Sequence, residues 1–465
     1  VKVDVAGLVG VACSESGKTY VIKNSVVKAG YAVCNFANNA TITISDSTLT
    51  GTGNVLYHNG SNYGLKLTVT NSTITGTSDD CCGVYISGST SAQANSDNQN
   101  GAGGYQQATF TKCTISGTNG IEVKYTDLTL DGCTVISTSD AAPSYTQNNN
   151  GPAASGFAVV STDNATQGNT PKPEGTIIVK GEGKYTGPVG LGSLKSVKTS
   201  YAGFNDETIK VSGGTFSSAV PEEYCAEGFI PTKNADGTYG VKEGMYVAQI
   251  GDVKYETLKD AFAAAKDGDT ITIVRNFTTD ETKTTAADRA TVTANVTLDF
   301  GSYVMTVPAS LEPTDNFMAI LVDGSTLTVE GTSGGIVSGD AETCGVYGFN
   351  VKGGGKLVIN GGGYYCGITV AQAQLGTIEV NGGSFAVNDG SGKYPGYMFN
   401  CVDANYVAGT AGITVNGGTF VGYDPRNNTA EGTGTSFVAE GVGIDKNADG
   451  TFTAKSGMAA QIVDA

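Results

Sequence analysis

Hydrolysis of a glycosidic bond asks for two carboxyl groups facing one cleft, one as acid and one as base or nucleophile. This chain offers a single adjacent aspartate pair, Asp79-Asp80. It runs directly into Cys81-Cys82, and no second acidic motif follows at a regular spacing. The only histidine, His58, lies upstream in Tyr57-His58-Asn59-Gly60. Lyase chemistry would use an arginine or lysine base beside calcium-binding acids, yet Arg275, Arg289 and Arg426 are the only arginines and none sits in such a cluster. We therefore read Asp79-Asp80 as a solvated turn and expect no catalytic residues.

Two further patterns could hold a metal or form covalent bonds. Asp445-Lys446-Asn447-Ala448-Asp449-Gly450 matches the first half of an EF-hand loop, but the twelfth position is Ser456 where a bidentate Glu is required. The matching first position of a second copy of this segment is Thr232. A hairpin turn explains the pattern better, so no cofactor is expected and structural calcium is a weak alternative. Among the ten cysteines, Cys13 and Cys34 are 21 residues apart, Cys113 and Cys133 are 20 apart, and Cys344 and Cys366 are 22 apart. If those intervals are one structural repeat, each pair stacks vertically within reach of a disulfide. Buried free-thiol ladders and disulfides formed after export are both open readings. With no Cys-x-x-Cys spacing and no histidine partners, a metal site on these cysteines is not expected.

The elements that would position these residues are short strands. Glycine contributes 67 of 465 residues, tryptophan is absent and charged residues are 15% of the chain, a composition of many strands separated by turns rather than long helices. Alternating runs end in a recurring corner: Ile42-Thr43-Ile44-Ser45-Asp46-Ser47, Leu67-Thr68-Val69-Thr70-Asn71-Ser72 and Leu128-Thr129-Leu130-Asp131-Gly132-Cys133. Later in the chain the corner becomes Gly-rich, as in Val380-Asn381-Gly382-Gly383-Ser384-Phe385 and Val415-Asn416-Gly417-Gly418-Thr419-Phe420. Glycine supplies the positive φ such corners need, and Asn tolerates it. A corner every 20 to 25 residues is the length of one coil of a parallel β-helix, in which each coil buries its inward residues on its neighbours. The expected fold class is all-β, a right-handed parallel β-helix in two tandem modules. At the inter-strand spacing of about 4.8 Å, roughly 20 coils would extend on the order of 100 Å.

The duplication is read from an echo. Lys233-Asn234-Ala235-Asp236-Gly237-Thr238-Tyr239 returns as Lys446-Asn447-Ala448-Asp449-Gly450-Thr451-Phe452, 213 residues later. We expect module 1 over residues 1–243 and module 2 over 244–465, each closed by a hairpin, the second near residues 444–455. Leu258, Ala261, Phe262 and Ala265 fall at helical spacing. They predict one short amphipathic capping helix near residues 256–267, with Gly268 as its C-cap. The first module has no equivalent segment, so its N-terminal cap is expected to be missing, and the chain reads as an excerpt of a longer array.

These coils, the segment Tyr255 to Ile273, and the closing stretch Glu223-Tyr224-Cys225-Ala226-Glu227-Gly228-Phe229 resemble the repetitive cell-surface proteins of Gram-positive gut-type bacteria, with β-helix modules of the pectin-lyase-like superfold. The resemblance implies an exported, adhesin-like or stalk-forming protein at the bacterial cell surface. No Leu-Pro-x-Thr-Gly sorting signal is present. Many β-helix relatives are polysaccharide hydrolases or lyases, and in the polygalacturonase-like pattern Asp-Asp precedes Gly-His-Gly and then Arg-Ile-Lys. Here His58 comes before Asp79, and no Arg-Ile-Lys follows.

A net charge of -17 argues against nucleic acid and anionic membranes, both of which need clustered Lys and Arg. No run of 18 apolar residues exists, so direct membrane insertion is not expected. Function then falls to polar inserts, residues 87–107, 137–155, 161–175 and 388–412, where Tyr105, Tyr145, Tyr394, Tyr397 and Tyr406 are candidate ligand-loop residues. The expected partners are a host or microbial glycan or protein, or another copy of the chain associating end to end. A polysaccharide-degrading enzyme is the alternative.

Overall fold

Many strands bury their apolar residues on one side and turn threonines outward. In Thr41–Ser45 Ile42 and Ile44 are buried, and in Lys66–Thr70 Leu67 and Val69 are. The side-chain period of two makes this unavoidable once one face is packed. The computed structural model describes residues 1–87, 106–146, 151–162, 175–193, 209–279, 290–307, 318–338, 347–367, 369–387 and 397–456. It divides into two units, Val1–Met245 and Tyr246–Ala465. In both, the regular structure is mostly strand with very little helix, and the sheets are mostly parallel.

In the second unit three sheets take the strands in strict rotation. Thr270–Ile273, Val296–Asp299 and Thr326–Glu330 are parallel neighbours in the first sheet. Phe277–Thr278, Val304–Val307 and Gly335–Ser338 are neighbours in the second, and Ala290–Val292, Met318–Asp323 and Tyr347–Lys352 in the third. The chain thus returns to the same sheet at every third strand. The first unit follows the same rotation over one seven-stranded sheet and a fifteen-stranded sheet whose two arms meet at the long strand Val26–Asn35. Each unit has its own continuous core.

Both units end alike. Phe229–Lys233 and Tyr239–Glu243 form an antiparallel hairpin on the last parallel strand of the first unit. Val442–Lys446 and Thr451–Ser456 do the same in the second. The turns are held identically: Asp236 Oδ1 accepts from Thr238 N and Oγ1 at 3.0 and 2.6 Å, and Asp449 Oδ1 from Thr451 at 3.0 and 2.7 Å. Cys225 and Val438 occupy equivalent places, each bridging the end of the second-to-last parallel strand of its unit, at Val211 and Val415.

The second unit opens with Ala248–Ile250 antiparallel to Thr270–Ile273, and with a helix over Leu258–Ala264. Thr257 caps it by accepting the Asp260 N–H at 3.0 Å, and Leu258, Ala261 and Phe262 are buried. Gly268 is not its C-cap, contrary to the expectation. The helix stops at Ala265, whose φ of -68° and ψ of 148° leave the helical region, and Gly268 serves a separate turn at φ +90°.

The corners explain the residue choices. In the first unit Asn24, Asp46, Asn71, Lys112 and Gly132 all have φ between 48° and 60°. The next residue turns its side chain back onto the carbonyl two residues before: Ser25, Ser47 and Ser72 through Oγ at 2.9, 2.7 and 2.8 Å, Cys113 and Cys133 through Sγ at 3.4 and 3.6 Å. Ser and Cys here fill one stacked column. In the second unit the Gly-rich corners make room for an aromatic column, with Tyr364, Phe385 and Phe420 stacked at 5.3 Å intervals. Gly383 has φ +111°, and a Cβ there would sit 2.9 Å from the Phe385 ring. Gly383→Ala should therefore cost about 1–3 kcal/mol through backbone strain alone. A thermal midpoint lowered well below that of Gly412→Ala is the expected result, because a Cβ at Gly412 meets open space.

Candidate functional site

The sequence candidates do not converge. Asp79 and Asp80 are exposed in a turn, while His58 is fully buried in the first unit's interior. Arg275 is exposed, Arg426 forms a forked pair with Asp424 at 2.8 and 3.0 Å, and Arg289 lies outside the described residues. Asp445 pairs with Lys455 at 3.2 Å on the closing hairpin, and among the described residues no three His, Cys, Asp or Glu side chains gather as metal ligands would.

The tyrosines are also dispersed. Tyr105 and Tyr394 lie outside the described residues. Tyr145 is partly buried in a small antiparallel ribbon, Ser144–Tyr145 against Ala154–Ser155. Tyr397 is partly buried ahead of the strand Phe399–Cys401. Tyr406 belongs to a short helix, Asp403–Val407, and its ring packs edge-on to Phe437 at 6.2 Å, so it serves packing where an open loop was expected.

The cysteine spacing needs one correction. Cys13 aligns with Asn35 and Cys34 with Ala12, a register of 22 residues against a cysteine spacing of 21, so Cys13 and Cys34 are not register partners. Cys113 and Cys133 do occupy the same corner column, Cys344 lies outside the described residues, and Cys366 is buried. Burial pushes the Cys13 thiol to about 11, and burial with the nearby Cys13 pushes Cys34 to about 12. Burial, then Glu431, pushes Cys401 to about 12. The thiolate is the reactive form. A thiol reagent at pH 8 should leave these three unmodified in the native chain and label them promptly in urea. Rapid native labelling mapped to Cys34 or Cys401 would contradict their placement.

The most elaborate polar arrangement was not signalled by any motif. It stands on the strand Ile121–Val123, where Ile121 and Val123 enter the core and Glu122 faces the opposite side. Along that outer column the register runs Cys34, Tyr57, Tyr85, Glu122, Val160. Tyr57 and Tyr85 stack at 5.6 Å. Glu122 is nevertheless 0% exposed, because the insert carrying the Ser144–Tyr145 ribbon lies over it. Its Oε1 accepts from Ala153 N at 2.8 Å and Thr162 Oγ1 at 2.7 Å. Its Oε2 accepts from Asn119 Nδ2 at 3.0 Å and Ala154 N at 3.2 Å.

Lys124, also 0% exposed, places Nζ 3.9 Å from Glu122 Oε1, 2.9 Å from Gly151 O and 5.4 Å from the centre of the Tyr85 ring. Asn119 completes the frame, accepting the Phe157 N–H at 3.2 Å. Burial raises the Glu122 carboxyl while Lys124 and the donors pull it down, with burial the larger effect. The same burial, then the Glu122 charge, holds Cys82 and Tyr85 well above their ordinary values. Beside the ribbon opens a cavity of about 420 Å³ lined by Pro143, Phe157, Val189, Leu191, Pro221 and Tyr224.

A second buried polar pair lies one column inward. Asn35 Oδ1 accepts the Ala37 N–H at 3.2 Å, which fixes its amide so that Nδ2 faces His58 Nδ1 at 2.8 Å. A neutral ring then accepts at Nδ1 and carries its proton on Nε2. Burial draws His58 down to about 4.

Compared with protein-family models, curated proteins and solved structures, the chain matches none.

Proposed function

We propose that each unit is a right-handed parallel β-helix and that the protein is a non-enzymatic, extracellular scaffold of a bacterial surface, displaying inserts that bind a glycan or a protein. The return to the same sheet at every third strand supports the β-helix reading. Export and surface location follow from the resemblance of the coils to repetitive surface proteins. The observation that carries the display function is the Glu122–Lys124 frame. It fixes Gly151, Ala153 and Ala154 of a polar insert to the outside of a sheet, leaving Ser144 and its neighbours exposed on a rigid base. Binding loops on rigid scaffolds are built this way. The cavity beside the ribbon is of the size ligand pockets have and offers aromatic and proline surface to a partner.

The test is binding of the full chain to arrays of glycans and of extracellular-matrix proteins, against a variant in which residues 144–154 are replaced by a short Gly-Ser linker. Retained far-ultraviolet dichroism with lost binding is the expected outcome. Undiminished binding by the variant would move the site elsewhere, and turnover of uronic-acid polymers would replace the reading with an enzymatic one.

A further inference from the structure

Glu122 lies on the strand Ile121–Val123 and Lys124 directly follows that strand, two residues on, and both are wholly removed from water. Two opposite charges in that position bear a large desolvation cost that attraction alone recovers poorly. The amine and the carboxyl group lie side by side in this closed site. The amine nitrogen is 3.9 Å from Oε1 and is held there by Gly151 O at 2.9 Å, beside the carboxyl carbon it would attack. The carboxyl group is held by four donors, and two of them, Asn119 Nδ2 and Ala154 N, are on Oε2, where negative charge would grow during attack at Cδ.

We propose that this site forms an intramolecular amide between Lys124 Nζ and Glu122 Cδ. The stoichiometry closes without a co-reactant: one carboxylate and one ammonium give one amide and one water. A proton passes from Nζ to the carboxylate, leaving a neutral amine and a neutral acid. The nitrogen lone pair then attacks Cδ, forming the C–N bond. Oε2, held by Asn119 Nδ2 and Ala154 N, accepts the developing charge and becomes the amide oxygen. Oε1, nearest the amine and hydrogen-bonded by Thr162, departs with a second proton from nitrogen as water. The product is neutral, so the desolvation cost of two buried charges disappears, and its oxygen keeps the Asn119 and Ala154 donors that held Oε2. The insert is then fastened to a covalently closed ring rather than to a titratable pair. The inference rests on the geometry of this site and is independent of what the insert binds.

The experiment is intact-mass spectrometry of the purified full chain, followed by tryptic mapping. The expected result is a chain lighter than its sequence by one water, with the loss mapped to a peptide spanning Glu122 and Lys124 that trypsin leaves uncut after Lys124. Lys124→Arg keeps the charge but should show the full sequence mass, as should Lys124→Met, with folding checked by dichroism. A folded wild-type chain of full sequence mass overturns the proposal. So does a water loss that maps to an Asp-Gly step such as Asp131-Gly132, where a succinimide accounts for it.

Discussion

Glu122→Ala is expected to destabilise the first unit by about 3–5 kcal/mol, the usual cost of removing one member of a buried pair. The magnitude follows from what is left behind. The N–H groups of Ala153 and Ala154, the Thr162 hydroxyl and the Asn119 amide all lose their acceptor in a site closed to water, and each stranded donor costs about 1–3 kcal/mol. With the pair joined as an amide, the Asn119 amide and the Ala154 N–H still lose the oxygen they hold. Lys124 would meanwhile keep Gly151 O and the Tyr85 face but lose its counter-charge. The double variant Glu122→Leu with Lys124→Met should recover part of the loss, because an apolar pair leaves no buried charge. Urea midpoints for the two variants and the wild-type chain decide this. In limited proteolysis Glu122→Ala should also be cut first within residues 139–155. Wild-type stability and wild-type protease resistance in Glu122→Ala would show that the frame does not hold the insert.

The second large effect is a pH dependence assigned to one residue. His58 is the chain's only histidine and is wholly buried, and burial lowers its pKa from 6.5 to about 4. The unfolded chain therefore takes up this proton near pH 6.5, whereas the folded chain resists it until about pH 4. The contribution is fully present above pH 6.5 and is lost as pH falls through that window, because the unfolded state binds more protons there. The shift corresponds to roughly 3 kcal/mol. Comparing urea midpoints at pH 7 and pH 4.5 should show a steeper fall for the wild-type chain than for His58→Gln, with the carboxylates common to both. Parallel pH profiles for the two proteins would refute the assignment.

Much of the fold was legible from spacing. Threonines alternating with Ile, Leu and Val announce a strand whose faces differ, and Asp46-Ser47, Asn71-Ser72 and Gly132-Cys133 announce corners with positive φ. The echo around Asn234 and Asn447 located two hairpins, because a turn's own side-chain hydrogen bonds are local in sequence. The helix start at Leu258 was readable from its apolar spacing. Its end was not, since no cap residue marks Ala265 and the chain leaves the helix to enter the strand at Thr270. The spacing of Cys13 and Cys34, 21 residues, misled because the register at that point is 22 residues, and spacing alone does not fix coil length to one residue.

The candidate site was almost wholly illegible. Asn119, Glu122 and Lys124 sit in Thr118-Asn119-Gly120-Ile121-Glu122-Val123-Lys124, which in sequence looks like an ordinary half-exposed strand with polar residues on its outer face. The outward direction of Glu122 and Lys124 was implied by alternation with Ile121 and Val123. That the outward face is covered was not, because the cover comes from residues 151–162, some thirty positions later. The amino-acid sequence by itself determined the local quantities: which side chains share a face, where the backbone turns, and how often the pattern repeats. Tertiary structure alone decided which outward faces stay wet and which are closed, and so turned Glu122, Lys124 and His58 from ordinary ionisable residues into buried groups. The physical reason is that periodicity is set by bonds between neighbours, whereas burial is set by whichever distant segment the fold lays on top.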